Sequence, residues 1–137
     1  MKELFVDTNI VIDLLAKREP FYSSAARLFS LADKSKVKLS VSSLTFSNTN
    51  YILSRQKTFR EARAILRNFK MLVSVLPLDE KIVMLALNDS KFADFEDGLQ
   101  YHSAVEFDQE IIITRNQKDF KSSKIPVMTA EEYLISR

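Results

Sequence analysis

The 137-residue chain contains no cysteine, one glycine and one histidine. Without cysteine it cannot form disulfides, thiolate metal sites or a cysteine nucleophile. Because His102 is the single histidine, we expect neither a histidine-rich zinc site nor a Ser-His-Asp triad, and we predict a partly buried or surface histidine. Gly98 is the single glycine, which excludes a G-x-G-x-x-G dinucleotide loop and a Walker phosphate loop, since both need several glycines.

Long apolar runs are also absent, although apolar residues make up 46% of the chain. No segment approaches the length of a membrane-spanning helix. The first strand begins so close to the amino terminus that no signal peptide is expected. We therefore predict a cytoplasmic protein without membrane contact. The formal net charge of +2 permits a nucleic-acid substrate but lacks the basic excess of a dedicated nucleic-acid-binding domain.

Short apolar segments alternate with amphipathic segments along the whole chain. The pattern predicts strands at 4–6, 38–42, 73–78, 111–113 and 126–128. Helices are predicted between them, with N-caps at Thr8 or Asn9, at Ser43 or Thr45, and at Thr58, Asp79 and Thr129. Glu61 and Glu132 would complete capping boxes. We predict one α/β domain over residues 1–137, with a mostly parallel central sheet of about five short strands.

A carboxylate follows the first predicted strand. Leu4-Phe5-Val6 is typical of a buried parallel strand, and Asp7 lies at its carboxyl end, where open α/β sheets bind ligands. A buried charge without a partner is costly, so Asp7 needs a cation, a basic side chain or several donors. The strand 111–113 is followed in the same way by polar residues and then by Asp119.

A further acidic group opens the helix predicted at 94–107. Asp94 and Asp97 are three residues apart and share a helix face, whereas Glu96 is expected to face elsewhere. Charge matching to the helix dipole is an alternative explanation for these acids. Clustered carboxylates repel one another unless a cation lies between them, and Mg²⁺ prefers oxygen ligands. Such an ion lowers the pKa of bound water and orients it for attack on a phosphodiester.

Four segments resemble the successive motifs of PIN domains, in particular those of small prokaryotic VapC-like toxins. They are Asp7-Thr8-Asn9, the helix after the second predicted strand, Asp94-Phe95-Glu96-Asp97 and the stretch from Thr114 to Phe120, and the resemblance runs over essentially the whole chain. It implies a three-layer α/β/α fold and Mg²⁺- or Mn²⁺-dependent endoribonuclease activity on RNA. It also implies frequent homodimerisation and, in toxin members, an antitoxin that inserts into the cleft.

The resemblance also implies roles for individual residues. Asp7, Asp97 and Asp119 would be the catalytic, metal-binding acids, and Asp94 would be an accessory acid. Thr114 and Asn116 would position Asp7 or a bound water through hydrogen bonds.

Asn48 departs from the family pattern. PIN domains usually carry a glutamate in a pattern like Ser-x-x-Thr-x-x-Glu, and here Ser42, Thr45 and Asn48 occupy those positions. An amide oxygen can ligate an ion or hold a water, but it adds no charge. At about 4 Å and an effective dielectric of about 20, one lost charge removes a few kcal/mol of attraction before screening. The sequence therefore predicts weakened metal binding and slow or absent turnover.

Several other side chains admit two interpretations. Arg115 is predicted to pair with a phosphate or with Asp119, and Asp13 to form a surface or structural pair. Four residues form a basic row that is either a solvated face or a phosphate-tracking patch, namely Arg60, Arg63, Arg67 and Lys70. Four aromatic residues are predicted to belong to the core, with base stacking as the alternative, namely Tyr22, Phe46, Tyr51 and Tyr101.

Three functional hypotheses follow from these patterns. The first is a metal-dependent, VapC-like ribonuclease. The second is a PIN domain weakened by Asn48 that serves as an RNA- or protein-binding module. The third is a phosphatase or receiver-like domain, but the acidic pair and the late lysine of a receiver are not found.

Overall fold

The computed structural model describes all residues from Met1 to Arg137. Its five strands are β1 Lys2–Val6, β2 Val37–Ser42, β3 Val73–Leu76, β4 Ile111–Ile113 and β5 Val127–Met128. The α-helices are α1 Thr8–Leu15, α2 Tyr22–Asp33, α3 Ser43–Leu53, α4 Phe59–Lys70, α5 Glu80–Leu87, α6 Phe95–Glu106 and α7 Ala130–Ser136, and a 3₁₀ helix spans Gln117–Phe120. None of the α-helices combines the length and the apolar character that a membrane span requires.

The five strands form one parallel sheet in the order β3-β2-β1-β4-β5. The predicted sheet is confirmed, and it is parallel throughout. β1 lies at the centre, where Leu4 pairs with Leu39 on one side and with Ile111 on the other. Val6 pairs with Ile113 at the end of the shared ladder. The residues that follow these two strands, Asp7 and Thr114, therefore leave the sheet side by side.

Helices cover both faces of the sheet. Because side chains alternate along β1, its apolar residues are buried against helices on both faces. Leu4 and Val6 join a core of 16 buried residues to which α1, α2, α4 and α7 contribute. Phe5 joins a second core of seven buried residues that includes side chains of α6 and the 3₁₀ helix. Leu4, Phe5 and Val6 are fully buried, and each contributes roughly 1.5–3 kcal/mol of hydrophobic stabilisation. The predicted three-layer α/β/α fold is confirmed.

Two predicted helix starts are wrong. α1 is capped by Asp7 and not by Thr8 or Asn9, because the Asp7 carboxylate accepts a hydrogen bond from the Thr8 amide. α3 begins after Ser42 and not after Ser43 or Thr45. The Ser42 hydroxyl makes no cap because it donates to the side chain of Gln100. In both cases the helix begins earlier than predicted, directly at the end of the preceding strand.

The other predicted caps are confirmed at Thr58, Asp79 and Thr129, and the first and last of these form complete capping boxes. β3 ends at Leu76 and not at Leu78, because Pro77 has no N–H to donate to a strand ladder.

The predicted aromatic core is correct for two residues and wrong for one. Tyr101 is buried, and Phe46 packs against Phe69 of α4 at a ring separation of 5.7 Å. Tyr22 is half-buried at the start of α2. Tyr51, by contrast, is 61% exposed, because it lies on the face of α3 that turns away from the core. Tyr51 therefore belongs to the surface of the protein and not to its core.

Candidate active site

A cleft of about 540 Å³ opens at the carboxyl edge of the sheet. Acidic residues from three parts of the chain line it, namely Asp7 after β1, Asp94, Glu96 and Asp97 around the start of α6, and Asp119 in the 3₁₀ helix. The remaining lining residues are Thr8, Asn9, Ile12, Arg18, Asn48, Tyr51, Ile52 and Asn116. The structure thus brings Asp7, Asp97 and Asp119 to one place from positions up to 112 residues apart.

Asp7 is the most buried of these acids, with 7% of its surface exposed. Two short hydrogen bonds of 2.8 Å fix its carboxylate, one from the Thr8 amide to Oδ1 and one from the Thr114 hydroxyl to Oδ2. Two longer contacts of 3.3 Å come from the side-chain amides of Asn9 and Gln100. The carboxylate therefore keeps a defined orientation at the base of the cleft.

Thr114 is itself held in place. Its hydroxyl oxygen accepts hydrogen bonds from the backbone amide of Asn116 at 3.0 Å and from the Asn9 side chain at 3.2 Å. Asn116 thus reaches Asp7 through its backbone and Thr114, while its side chain lines the cleft. The side-chain carbonyl oxygen of Asn9 in turn accepts from the Arg115 backbone amide at 3.3 Å. These contacts connect the ends of β1 and β4.

Gln100 is a site residue that the sequence analysis missed. Gln100 is 1% exposed. Its side-chain amide donates to the Asp7 carboxylate and also to the Thr8 hydroxyl, at 3.2 Å. Its carbonyl oxygen accepts from Ser42, so it joins the ends of β1 and β2 to α6. The signal was present in the spacing, because Gln100 follows Asp97 by three residues and shares its helix face.

The prediction that Glu96 faces away from the other acids is wrong. The Asn48 side chain on α3 donates a hydrogen bond of 2.6 Å to the Glu96 carboxylate, and both residues line the cleft. Residue spacing describes only which side chains share a face of α6. The proximity of α3 to the first turn of α6 decides the environment of Glu96. A carboxylate therefore lies directly beside the position where the family pattern has its glutamate.

The acids in the cleft have raised pKa values. Burial, followed by the charges of Asp94, Asp7, Asp119 and Glu96, raises the pKa of Asp97 to about 7. Burial also raises the pKa of Asp7, although hydrogen bonds from Thr114, Thr8 and Gln100 oppose the shift. For Glu96, partial desolvation and then the charges of Asp94 and Asp7 raise the pKa. Ionisation of these carboxyl groups is therefore costly in the cleft, and a cation bound there would reduce that cost.

The donor set suits a hard divalent cation, because it consists of carboxylate and amide oxygens. No three carboxylate or imidazole groups converge tightly enough to form a finished metal cage. The Asp94 carboxylate is also engaged as the N-cap of α6, where it accepts from the Asp97 amide at 3.2 Å. Mg²⁺ commonly keeps several waters and takes only one or two carboxylates, so a complete protein cage is not required.

Arg115 does not pair with Asp119, which corrects one of the two predicted partners. Its guanidinium forms a bidentate ion pair with Asp13, at 2.7 and 3.0 Å, and lies 3.9 Å from the ring centroid of Phe21. Asp13 is fully buried, so its pair is structural and not at the surface. The position of Arg115 depends on its contact with Asp13, in the second turn of α1, and residue spacing does not relate that helix to the loop after β4.

His102 and the basic row lie outside the cleft. His102 is half-buried, as predicted, and contacts the Asp89 carboxylate at 2.8 Å, which lowers the pKa of Asp89 through the hydrogen bond. Arg60 and Arg63 are exposed beside the Phe59 ring, at 5.8 and 5.4 Å from its centroid. All four basic residues of α4 are exposed, which agrees with a solvated face.

Comparison with known proteins agrees with this architecture. The chain is 27% identical over 136 residues to Ribonuclease VapC1 of Aquifex aeolicus, covering 96% of this chain and 93% of that protein. The fold is similar to VapBC-1 from nontypeable Haemophilus influenzae, with a TM-score of 0.70, 18% identity and coverage of 94% and 98% of the two chains.

A toxin–antitoxin complex from Klebsiella pneumoniae also has a similar fold, with a TM-score of 0.68, 23% identity and coverage of 93% and 97%. Residues 3–118 match the sequence profile of the PIN domain. The predicted resemblance is therefore confirmed, and the chain belongs to the PIN domain family.

Proposed function

We propose that this PIN domain is a divalent-metal-dependent endoribonuclease that hydrolyses RNA phosphodiester bonds. The observation that carries the proposal is the acidic cleft, in which Asp7, Asp97 and Asp119 meet from distant segments and the pKa of Asp97 is raised to about 7. Perturbed carboxylates in a cleft are typical of functional sites. The similarity to a protein named Ribonuclease VapC1 supports the same activity.

Asp7, Asp97 and Asp119 would hold Mg²⁺ or Mn²⁺, with Asp94 as an accessory acid. When bound, the ion supplies a water of lowered pKa and stabilises the charge that develops on the phosphodiester oxygens. The Thr8 amide and Thr114 hydroxyl hold the Asp7 carboxylate in position, and both contacts are short. The two longer contacts, at 3.3 Å, come from the side-chain amides of Asn9 and Gln100.

Glu96 would compensate for the missing acid at position 48. Its carboxylate accepts the hydrogen bond of Asn48 and lines the same cleft, so the negative charge is displaced by one side chain and is not lost. This contact favours the active enzyme over the alternative of a catalytically weakened module that only binds RNA or protein. The Asn48 amide would then orient Glu96.

The experiment compares cleavage of structured RNA by the wild-type chain and by Asp7→Asn, each with Mn²⁺ and with EDTA. Asparagine is also a good N-cap, so this variant preserves the start of α1 while it removes the charge. We expect cleavage only by the wild-type chain with Mn²⁺. Cleavage that persists in EDTA and in Asp7→Asn would rule out the metal-dependent mechanism. Mn²⁺ binding without cleavage of any RNA would favour the binding module.

An antitoxin is proposed as the protein partner, because similar folds occur in VapBC-1 and in a toxin–antitoxin complex. Homodimerisation is also expected, and light scattering of the purified chain measures its oligomeric state. A short reading frame beside the gene is the first candidate for the partner, and co-purification of the two products would test it. A monomeric chain would contradict homodimerisation. Two products that purify separately would contradict the antitoxin proposal.

A further inference from the structure

Arg18 and Tyr51 line the acidic cleft without taking part in the arrangement of its acids. Arg18 lies in the loop after α1, and Tyr51 lies on α3. Ion binding by the carboxylates requires neither residue. Both are accessible to a ligand that enters the cleft, since Arg18 is exposed and Tyr51 is 61% exposed.

Arg18 is the single basic residue among those that line the cleft. Its guanidinium takes part in none of the ion pairs of the structure, which involve Lys2, Lys38, Lys81, His102 and Arg115. Its backbone, however, is fixed, because its amide donates to the Asp13 carbonyl at 3.1 Å and its carbonyl accepts from the Phe21 amide at 3.0 Å. A held backbone thus presents a free guanidinium to the cleft.

Arg115 provides the contrast. Both of its pairing nitrogens are occupied by Asp13, and its guanidinium lies over the Phe21 ring. Binding a phosphate there would require breaking a bidentate contact with a buried carboxylate, which is costly. The contacts of Arg115 thus disfavour the phosphate-binding role predicted for it, whereas the Arg18 guanidinium has no such contact.

Tyr51 follows Asn48 by three residues on α3, so the two side chains share one face of the helix. Asn48 contacts Glu96, and Tyr51 is thereby placed beside the acids. Single exposed aromatic residues are common and need no explanation by themselves. The position of Tyr51 within a cleft that also holds a free arginine distinguishes it from a scattered surface residue.

We propose that Arg18 and Tyr51 form a subsite for the RNA strand beside the cleaved bond, in which the guanidinium binds a backbone phosphate and the phenol ring stacks on an unpaired base. This inference rests on the proposed function. Five acids in the cleft repel RNA, and a planar guanidinium offsets that repulsion through bidentate contact with phosphate. Bases within a duplex are covered by their neighbours, so stacking on Tyr51 requires an unpaired nucleotide.

The test measures equilibrium binding in EDTA, which suppresses metal-dependent cleavage, by fluorescence anisotropy of a labelled unpaired RNA of about twelve nucleotides. Stacking on an aromatic side chain changes affinity by roughly 5- to 150-fold per base, and we expect a loss in this range for Tyr51→Ala. Tyr51→Phe keeps the ring and should bind like the wild type. Arg18→Ala should weaken binding and reduce the slope of log affinity against log salt by about one.

Arg60→Ala is the matched control, because Arg60 is an exposed arginine that lies outside the cleft. It should bind within about twofold of the wild type, since it removes the same charge from a surface outside the cleft. A duplex of the same strand should bind equally well to the wild type and to Tyr51→Ala. Thermal melting confirms that each variant is folded.

The subsite is overturned if Arg18→Ala and Tyr51→Ala bind like the wild type, if Arg60→Ala loses as much affinity as Arg18→Ala, or if the wild-type chain does not bind unpaired RNA at low salt. Failure of the proposed function gives a different result. In that case the chain would bind RNA through Arg18 and Tyr51 but would not cleave it with Mn²⁺. Cleavage by a chain whose binding ignores both substitutions would reject the subsite and keep the enzyme.

Discussion

The side chains of Asn48 and Glu96 place one of the five acidic groups of the cleft on α6. They are joined by a hydrogen bond of 2.6 Å between α3 and α6. The amide alone brings no charge, and the carboxylate alone would have no donor beside it. Together they form a polar pair whose charge lies on the α6 side of the cleft. The consequence for metal affinity can be measured by moving that charge between the two positions.

Glu96→Gln should weaken Mn²⁺ binding by about tenfold, because it removes one charge and keeps the contact with Asn48. Isothermal titration calorimetry measures the affinity. Glu80→Gln is the control, since Glu80 is likewise an exposed acid in the first turn of a helix but does not line the cleft. Equal effects of the two substitutions would show that Glu96 acts only through the general field of the protein.

Asn48→Glu should tighten Mn²⁺ binding, because it adds a carboxylate beside Glu96. The double variant Asn48→Glu/Glu96→Gln moves the charge from α6 to α3 and should bind Mn²⁺ within about threefold of the wild type. Unchanged affinity in the Asn48→Glu single variant would mean that position 48 is not at the ion site.

At the scale of elements, one ion pair attaches α1 to the loop after β4. Asp13 is buried within α1, and Arg115 reaches it across the end of the sheet with two contacts of 2.7 and 3.0 Å. The Arg115 backbone also contacts Asn9, which contacts Asp7. The pair therefore supports the region of the cleft although neither charged group lines it.

Asp13→Asn should lower the free energy of unfolding by about 3 kcal/mol, because it leaves the Arg115 guanidinium with a neutral partner in a largely buried position. Urea denaturation measures the change. Asp33→Asn at the exposed end of α2 is a suitable control, since Asp33 takes part in no ion pair and should change stability by less than about 0.5 kcal/mol. A loss below about 1 kcal/mol for Asp13→Asn would mean that solvent stabilises Arg115 in place of its partner.

The elements themselves were largely predictable from the sequence. Apolar runs gave β1 and β4, and the caps at Thr58, Asp79 and Thr129 follow from local chemistry that a sequence displays directly. The contacts between elements were not predictable. Glu96 meets Asn48 because α6 begins beside α3, and periodicity relates only side chains of the same helix.

Asp7 likewise has one feature that the sequence predicts and one that it does not. Its place at the end of a central strand could be predicted from the run of apolar residues before it. Its role as the N-cap of α1 could not, because Thr8 and Asn9 have equally good capping side chains. Gln100 and Thr114 hold the Asp7 carboxylate from distant parts of the chain, and the residues around Asp7 do not reveal those contacts.

For the whole molecule, the acids of the cleft connect stability to pH. The pKa of Asp97 is raised from 3.8 to about 7 in the folded chain, chiefly by burial and then by neighbouring carboxylates. Between these values the folded state keeps a proton that the unfolded state has released. Stability must therefore fall as pH rises through this interval. The raised pKa values of Asp7 and Glu96 act in the same direction.

We expect the melting temperature in EDTA to be lower at about pH 8 than at about pH 5, and Mn²⁺ to offset much of this decrease at the higher pH. Differential scanning calorimetry measures both effects. Asp97→Asn should flatten the pH dependence, because it removes the carboxyl group whose pKa is raised most clearly. Stability that rises with pH in EDTA would show that the cleft does not accumulate uncompensated charge.

The central position of β1 also has a consequence for synthesis on the ribosome. β1 is made before both of its neighbours in the sheet, of which β4 begins at Ile111, and the last acid of the cleft is Asp119. A nascent chain that has not yet exposed this segment lacks both a flank for its central strand and part of its acidic set. The nuclease proposed here would therefore be inert until the segment from Ile111 to Asp119 has emerged from the ribosome.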